Sequence, residues 1–200
     1  MSFRLNNIYW QNRYINNETG WDIGYISTPV KEYIDQLTDK FIKILIPGCG
    51  NGYEAEYIWN KGFTNLHLLD YALQPINHFL IRNPLFPKNQ VHCQDFFQHA
   101  GQYDLIIEQT FFCAIDPSQR YRYAEHIHSL LTDSGKLTGL LFDCEFEKQG
   151  PPFGGNKEEY KNYFLPYFNF LVFETCYNSI TARKGHELYI NLQKRLLPSP

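Results

Sequence analysis

The sequence predicts an α/β domain with a mainly parallel sheet and helices on both faces. Short apolar runs alternate with helix-forming stretches from residue 42 to residue 143, a pattern typical of consecutive β-α-β units. The first run leads through three closely spaced glycines into a helix-forming stretch. Two later apolar runs, 168–176 and 186–192, are separated by a short polar segment that ends in Gly185. They predict a closing antiparallel hairpin.

The individual elements follow in order along the chain. The first predicted helix spans about 29–39, with Thr28 as N-cap and Pro29 as first residue, because proline is favoured at that position. Strands are predicted near 42–47, 65–70, 89–93, 103–108 and 136–143, and helices near 52–61, 72–81, 117–131 and 157–164. Prolines and glycines in 149–155 predict an irregular loop after the fifth strand.

Length and composition favour one domain over residues 1–200, with residues 1–27 as a lid-like N-terminal segment rich in Asn, Trp and Tyr. The net charge of −3 gives no electrostatic footprint for nucleic acid or for an anionic membrane. The N-terminus has no apolar signal core, and no apolar run reaches membrane-spanning length. Five cysteines without a CxxC pair indicate reduced, mostly buried thiols in a cytoplasmic protein.

The glycine turn is the strongest functional signal. Gly48, Gly50 and Gly52 lie between a buried strand and a helix, where the backbone can approach a ligand and helix N–H groups point at it. Asp70 ends the next strand, at about the spacing that lets a carboxylate hold the hydroxyls of a ribose. These residues predict a pocket for a nucleoside cofactor beyond the carboxyl ends of the strands.

Two cofactors compete for such a pocket, a dinucleotide and S-adenosylmethionine. The glycine turn fits the dinucleotide pattern G-x-G-x-x-G poorly, and Glu54 at the start of the helix would repel a pyrophosphate. S-adenosylmethionine carries no phosphate, and its cationic sulfonium tolerates nearby carboxylates. Asp95 and Phe96 follow the third strand, where a carboxylate can accept from the adenine amine and an aromatic ring can flank the base. Asp95 could also simply cap a turn.

Four blocks of the sequence match a known family. They are residues 10–14 with 21–24, residues 46–54, residues 103–115 and residues 150–153. Because these blocks occur in the same order and at matching intervals, the chain resembles the thiopurine S-methyltransferase-like family over about residues 10–195. It is most similar to the branch of thiol and halide methyltransferases. The resemblance implies a Rossmann-like class I methyltransferase fold with a seven-stranded sheet and S-adenosylmethionine as cofactor.

The resemblance also implies roles for individual residues. Those expected to contact the cofactor are Trp10, Tyr14 and Trp21 above it, Gly48 and Gly50 at its methionine part, Asp70 at the ribose, Asp95 and Phe96 at the adenine, and Glu108 and Thr110 where it meets the acceptor. Those expected to line the acceptor pocket are Phe111, Phe112, Pro152 and Phe153. The chain departs from the thiol and halide branch at Glu108, Gln109, Gln149 and Phe153, all on the acceptor side.

The chemistry implied is an in-line methyl transfer, in which holding the reactants close and in line is the main catalytic resource. No catalytic dyad is visible, so we expect no catalytic residue and a small, soft acceptor, most plausibly sulfur in a thiol, with a halide or thiocyanate as further options. We expect a monomer. A nicotinamide-dependent reductase and a non-catalytic binder of S-adenosylmethionine remain alternatives.

Several reactive side chains are assigned other roles. Cys113 is expected in an apolar wall rather than as a nucleophile. His126 and His128 point to different faces of a helix, so no metal site is predicted. Arg120 and Arg122 are expected to be solvated.

Overall fold

A seven-stranded sheet with the order β3-β2-β1-β4-β5-β7-β6 organises the protein. The computed structural model describes residues 5–197. The strands are β1 (Ile44–Pro47), β2 (Leu66–Asp70), β3 (Val91–Cys93), β4 (Tyr103–Gln109), β5 (Leu131–Phe142), β6 (Phe168–Thr175) and β7 (Glu187–Lys194). The α-helices are α1 (Asn7–Ile15), α2 (Thr28–Asp35), α3 (Tyr53–Asn60), α4 (Leu73–Arg82), α5 (Arg120–Leu130) and α6 (Lys157–Phe164).

Strands β1 to β5 pair in parallel, and β7 lies antiparallel between β5 and β6. All four residues of β1 are buried, as expected for a central strand covered on both faces. Because side chains alternate along a strand, Leu45 joins a core with α5 and α6, whereas Ile44 and Ile46 join a core with α2, α3 and α4. The predicted fold class, including the closing hairpin, is confirmed.

The structure corrects the element boundaries in three places. Residues 7–15 form a helix that their weak periodicity did not predict, with Asn6 accepting from the Tyr9 amide as N-cap. Helix α2 has Ser27, not Thr28, as its N-cap and ends at Asp35. Strand β5 follows α5 without a break at Leu131. Its first pair, with Tyr103, is separated from the regular ladder by a register shift.

Two short segments of the predicted single domain lie outside the described residues. They are residues 1–4, which belong to the predicted N-terminal segment, and residues 198–200. Within 5–197, no helix is long and apolar enough to cross a membrane. The same residues contain no group of three potential ligands that could hold a metal ion. All five cysteines are free thiols, and Cys93 is exposed.

Gly139 generates a test of the central strand pairing. It lies opposite Glu108 in the β4–β5 ladder, its φ is +149°, and a Cβ there would overlap the Glu108 carbonyl. We expect Gly139→Ala to lower the free energy of unfolding by about 2–4 kcal/mol, because the side chain adds both overlap and backbone strain.

Urea titration followed by circular dichroism measures this loss. Gly20→Ala is the matched control, since no atom lies within 4 Å of its Cβ position, and it should stay within about 0.5 kcal/mol of the parent. Equal stability of the two variants would contradict the close approach of β4 and β5.

Candidate functional site

A cavity of about 510 Å³ opens beyond the carboxyl ends of the parallel strands. Its walls come from the glycine turn, from the residues that follow β2, β3 and β4, from the N-terminal segment and from the loop after β5. Parallel sheets place ligands at this edge. Eleven of the fourteen residues predicted for the site line the cavity, namely Trp10, Tyr14, Trp21, Gly48, Gly50, Asp70, Asp95, Phe96, Thr110, Phe111 and Pro152.

The glycine turn between β1 and α3 has positive φ angles at all three glycines, 59° at Gly48, 52° at Gly50 and 71° at Gly52. Residues with a side chain rarely adopt this region. Space is also restricted, because a Cβ on Gly48 would overlap the Phe111 ring, and one on Gly50 would lie 2.8 Å from the Tyr14 hydroxyl. The turn therefore exposes bare backbone to the cavity while aromatic rings pack against it.

Asp70 connects two turns at this edge. Its Oδ2 accepts from the Gly50 amide at 2.8 Å, and its Oδ1 accepts from the Ala72 amide at 2.8 Å. Burial raises the pKa of Asp70, and these backbone donors oppose the increase. A carboxylate has about four lone-pair sites, so Asp70, which lines the cavity, keeps acceptor capacity for a hydroxyl there.

Asp95 and Phe96 form the wall beyond β3. The Asp95 Oδ1 accepts from the Phe97 amide at 2.9 Å and caps a short 3₁₀ turn. Its Oδ2 accepts from the Tyr71 hydroxyl at 3.3 Å. Phe96 is nearly buried and packs edge-on against Phe111 at 5.1 Å. Asp95 therefore caps a turn, as the alternative role for it predicted, and it also lines the cavity.

The N-terminal segment covers the cavity with an aromatic cluster. The Trp21 ring lies 5.7 Å from Trp10 and 5.8 Å from Tyr14, both edge-on. Burial and the Asp70 carboxylate raise the pKa of Tyr14.

Polar contacts hold this segment to other parts of the chain. Asn51 of the glycine turn donates to Asp22 at 2.5 Å, and Arg183, just before β7, donates to the Trp21 carbonyl at 2.6 Å. The segment is therefore docked on the glycine turn and on the C-terminal hairpin.

Three predicted site residues do not line the cavity, and their expected placement is corrected. Glu108 is fully buried, and its carboxylate accepts from the Phe111 and Phe112 amides and from the Tyr123 hydroxyl. Phe112 is in the core beside α5 and α6. Phe153 is partly exposed and donates its amide to the Cys113 carbonyl at 2.7 Å.

Glu108 shapes the loop that does face the cavity. Its Oε1 accepts from the Phe111 and Phe112 amides at 2.7 and 2.8 Å. Thr110, between the strand and these amides, has a φ of 58°, which is rare for a residue with a branched side chain. The carboxylate therefore supports the turn that places Thr110 and Phe111 in the cavity wall.

Cys113, Arg120 and Arg122 were expected to have no role as a nucleophile or in substrate binding. Burial raises the pKa of the Cys113 thiol, which suits the expected wall position and not a nucleophile. Arg122 is exposed and lies over the Phe97 ring at 4.2 Å. Arg120, expected to be solvated, is only 1% exposed and pairs with Glu159, so that expectation is wrong.

Sequence analysis missed several residues of the cavity wall, including Tyr25, Asn51, Tyr71 and Gln94. Tyr71 directly follows Asp70 at the end of β2, so its position in the chain was an available signal. Asn51 lies between Gly50 and Gly52 in the glycine turn, so it carried the same kind of signal. Tyr25 carries none, because only the tertiary fold brings it to the cavity.

These observations fit S-adenosylmethionine. The glycine turn can approach its methionine part, Asp70 has acceptor capacity for a ribose hydroxyl, and Asp95 lies beside aromatic rings that can flank adenine. Phosphate groups would meet the carboxyl group of Glu54, which lines the cavity at the start of α3.

Comparison with known proteins decides the family. The family model for thiopurine S-methyltransferase matches residues 5–190. The chain belongs to the thiopurine S-methyltransferase family. Membership confirms the predicted family, the methyltransferase class and S-adenosylmethionine as the methyl donor.

The chain is also similar to individual methyltransferases, two by sequence and one by its solved structure. The chain is 26% identical over 184 residues to a probable thiol methyltransferase 2 of Arabidopsis thaliana, covering 89% of this chain and 81% of the relative. It is 26% identical over 183 residues to thiocyanate methyltransferase 1 of Brassica oleracea, with the same coverage of 89% and 81%. The crystal structure of Burkholderia thailandensis 1,6-didemethyltoxoflavin-N1-methyltransferase, with S-adenosylhomocysteine bound, superposes with a TM-score of 0.76 at 14% identity, covering 95% of this chain and 87% of that one.

The Glu108 network predicts a pH-dependent stability. Burial raises the Glu108 pKa from 4.5 to about 7. A raised pKa in the folded state stabilises the fold below the unfolded value, and that contribution is lost as the pH rises through the folded value. Between pH 4.5 and pH 8, wild-type stability should therefore fall relative to Glu108→Gln, which does not titrate, by about 3 kcal/mol.

Urea titrations of both proteins across this pH range measure the difference. Tyr123→Phe removes a hydrogen bond that lowers the Glu108 pKa, so in that background the fall should be larger. A difference that does not change with pH would contradict the buried carboxyl network.

Proposed function

We propose that this protein transfers a methyl group from S-adenosylmethionine to a small, soft sulfur nucleophile, a thiol or a related species. The observation that carries the proposal is the cavity at the carboxyl ends of the strands, in which the glycine turn and Asp70 face a wall of aromatic rings. The names of the relatives, a thiol and a thiocyanate methyltransferase, support a sulfur acceptor. Halide remains an acceptor to test.

The cofactor residues are proposed as follows. Gly48 and Gly50 contact the methionine part, Asp70 accepts from the ribose hydroxyls, and Asp95 with Phe96 contacts the adenine. Trp10, Tyr14 and Trp21 cover the cofactor, and Thr110 lies where it meets the acceptor. When bound, S-adenosylmethionine supplies a methyl group activated by a positively charged sulfur. The acceptor then occupies the part of the cavity nearest β4 and β5, beside Phe111 and Pro152.

The chain's contribution is to hold and orient the two reactants and to exclude water from them. Among residues 5–197, neither a histidine nor a lysine lines the cavity, and burial keeps the Cys113 thiol protonated by raising its pKa. An acceptor that ionises by itself needs no base. A thiol with a pKa of about 8.5 meets this condition better than a phenol with a pKa of about 10. This supports a sulfur acceptor.

The charge of the cavity also suits the donor. The carboxyl side chains that line it are Asp22, Glu54, Asp70, Asp95 and Asp116, whereas Arg122 is the single lysine or arginine lining it in the described part of the chain. A negative wall attracts a cationic sulfonium, and this attraction increases where water is excluded.

We also propose a single domain that acts as a monomer in the cytoplasm on a small molecule, and not on nucleic acid or a membrane. One chain supplies every wall of the cavity described above, which supports a monomer. Free cysteines, one of them exposed, support a reducing compartment.

The first test of the proposed function is cofactor binding. Isothermal titration should detect binding of S-adenosylmethionine and of S-adenosylhomocysteine. Asp70→Asn should weaken both by about ten-fold or more, because a charged acceptor is lost. The control Asp133→Asn changes an exposed residue away from the cavity and should bind as the parent does. A folded sample that binds neither compound excludes the proposal, and binding of NADH instead would favour the reductase.

The second test of the proposed function identifies the acceptor. With hydrosulfide, 2-mercaptoethanol, thiophenol, thiocyanate, iodide and phenol as probes, release of S-adenosylhomocysteine should be fastest with one of the sulfur compounds. Phenol should be poor, because its hydroxyl ionises less readily than a thiol and neither a histidine nor a lysine lines the cavity in residues 5–197. Turnover of phenol above all sulfur probes would contradict the sulfur assignment. Binding without turnover of any probe would indicate a non-catalytic binder.

A further inference from the structure

Arg120 is an unusual residue for the interior, since arginine is almost never fully buried unless it is paired. It opens helix α5, and only 1% of it is exposed. Its guanidinium packs over the Phe112 ring at 4.9 Å and over the Tyr160 ring at 5.4 Å. A buried charge is costly unless hydrogen bonds compensate it. Its partners therefore indicate what it does.

Those partners include the loop that borders the acceptor side of the cavity. Nη2 donates to the Gly154 carbonyl at 2.8 Å and to the Phe153 carbonyl at 3.4 Å. Nη1 donates to Glu159 Oε1 on helix α6 at 3.0 Å. The two carbonyls directly follow Pro151 and Pro152, both of which line the cavity.

The same loop has few other attachments. The Phe153 amide donates to the Cys113 carbonyl at 2.7 Å, and the Gly155 amide donates to the Cys144 carbonyl at 3.0 Å. Proline has no N–H, so Pro151 and Pro152 cannot anchor themselves by backbone donation. A planar guanidinium can bind two carbonyls and a carboxylate together, which the single ammonium of lysine does less well.

We propose that Arg120 is a positioning residue that fixes the Pro151–Pro152 wall and thereby sets the shape of the acceptor side of the cavity. The part of the inference that concerns an acceptor rests on the proposed function. The part that concerns the wall is independent of it. Arg120 acts through the loop, because it does not itself line the cavity.

The first arm of the test measures the wall directly. Amide hydrogen exchange followed by NMR should show faster exchange at Phe153 and Gly155 in Arg120→Met, by about ten-fold or more if one stabilising contact is lost. Arg120→Lys should give an intermediate rate. Arg195→Met is the control, because that arginine contacts Asn169 and Phe168 at the outer strand, and it should leave both amides unchanged.

The second arm separates the acceptor from the cofactor. For thiophenol as the probe, Arg120→Met should raise KM by about ten-fold or more, since small misplacements have large effects, while the Kd for S-adenosylhomocysteine stays within about two-fold. Partial recovery of KM in Arg120→Lys would support positioning. An equal loss of cofactor affinity and acceptor affinity would overturn it, because Arg120 would then support the whole site.

Further variants keep the test decisive. If Arg120→Met does not fold, Glu159→Ala removes the ion pair to Arg120 together with the hydrogen bond from the Tyr163 hydroxyl, leaves both carbonyl contacts of Arg120 in place, and should give a smaller acceleration at the same two amides. Unchanged exchange at Phe153 and Gly155 in every foldable variant overturns the proposal. If no probe is methylated by the wild type, the proposed function fails, and the exchange arm still decides the role of Arg120.

Discussion

The site depends on one carboxylate that joins two turns. Because β1 and β2 are in register, with Pro47 opposite Leu69, the glycine turn and the turn after β2 meet at one edge of the sheet. Asp70 accepts from the Gly50 amide of the first turn and from the Ala72 amide of the second. This arrangement fixes the bare backbone of the glycine turn relative to a carboxylate that lines the cavity.

The remaining walls come from segments far apart in the sequence. Two hydrogen bonds hold the N-terminal segment in place. Its Asp22 carboxylate accepts from Asn51, and its Trp21 carbonyl accepts from Arg183. At the opposite side, the loop after β5 is held by Arg120. The glycine turn and the Asp70 turn are therefore fixed by the strand ends, whereas these other walls are fixed by polar contacts between distant segments.

The sequence was sufficient for the parts of the structure that local rules control. Apolar runs, the closely spaced glycines and the aspartate at the end of β2 predicted the sheet and the positions of Gly48 and Asp70 at the cavity. Local rules failed where long-range packing decides. Glu108 turns into the core because Tyr123 and two loop amides bind it, and Arg120 is buried because its partners lie on a loop and on α6. Two of the Glu108 partners are amides of the adjacent loop, but Tyr123 and the partners of Arg120 are distant in sequence and could not be predicted from nearby residues.

The most direct test of the account is hydrogen–deuterium exchange with and without S-adenosylhomocysteine. The account predicts slower exchange in peptides that contain residues 9–22, 48–54, 70–72 and 94–97, and unchanged exchange in the β6–β7 hairpin. Binding that protects the hairpin or other surfaces and leaves the glycine turn and the Asp70 turn unchanged would contradict it.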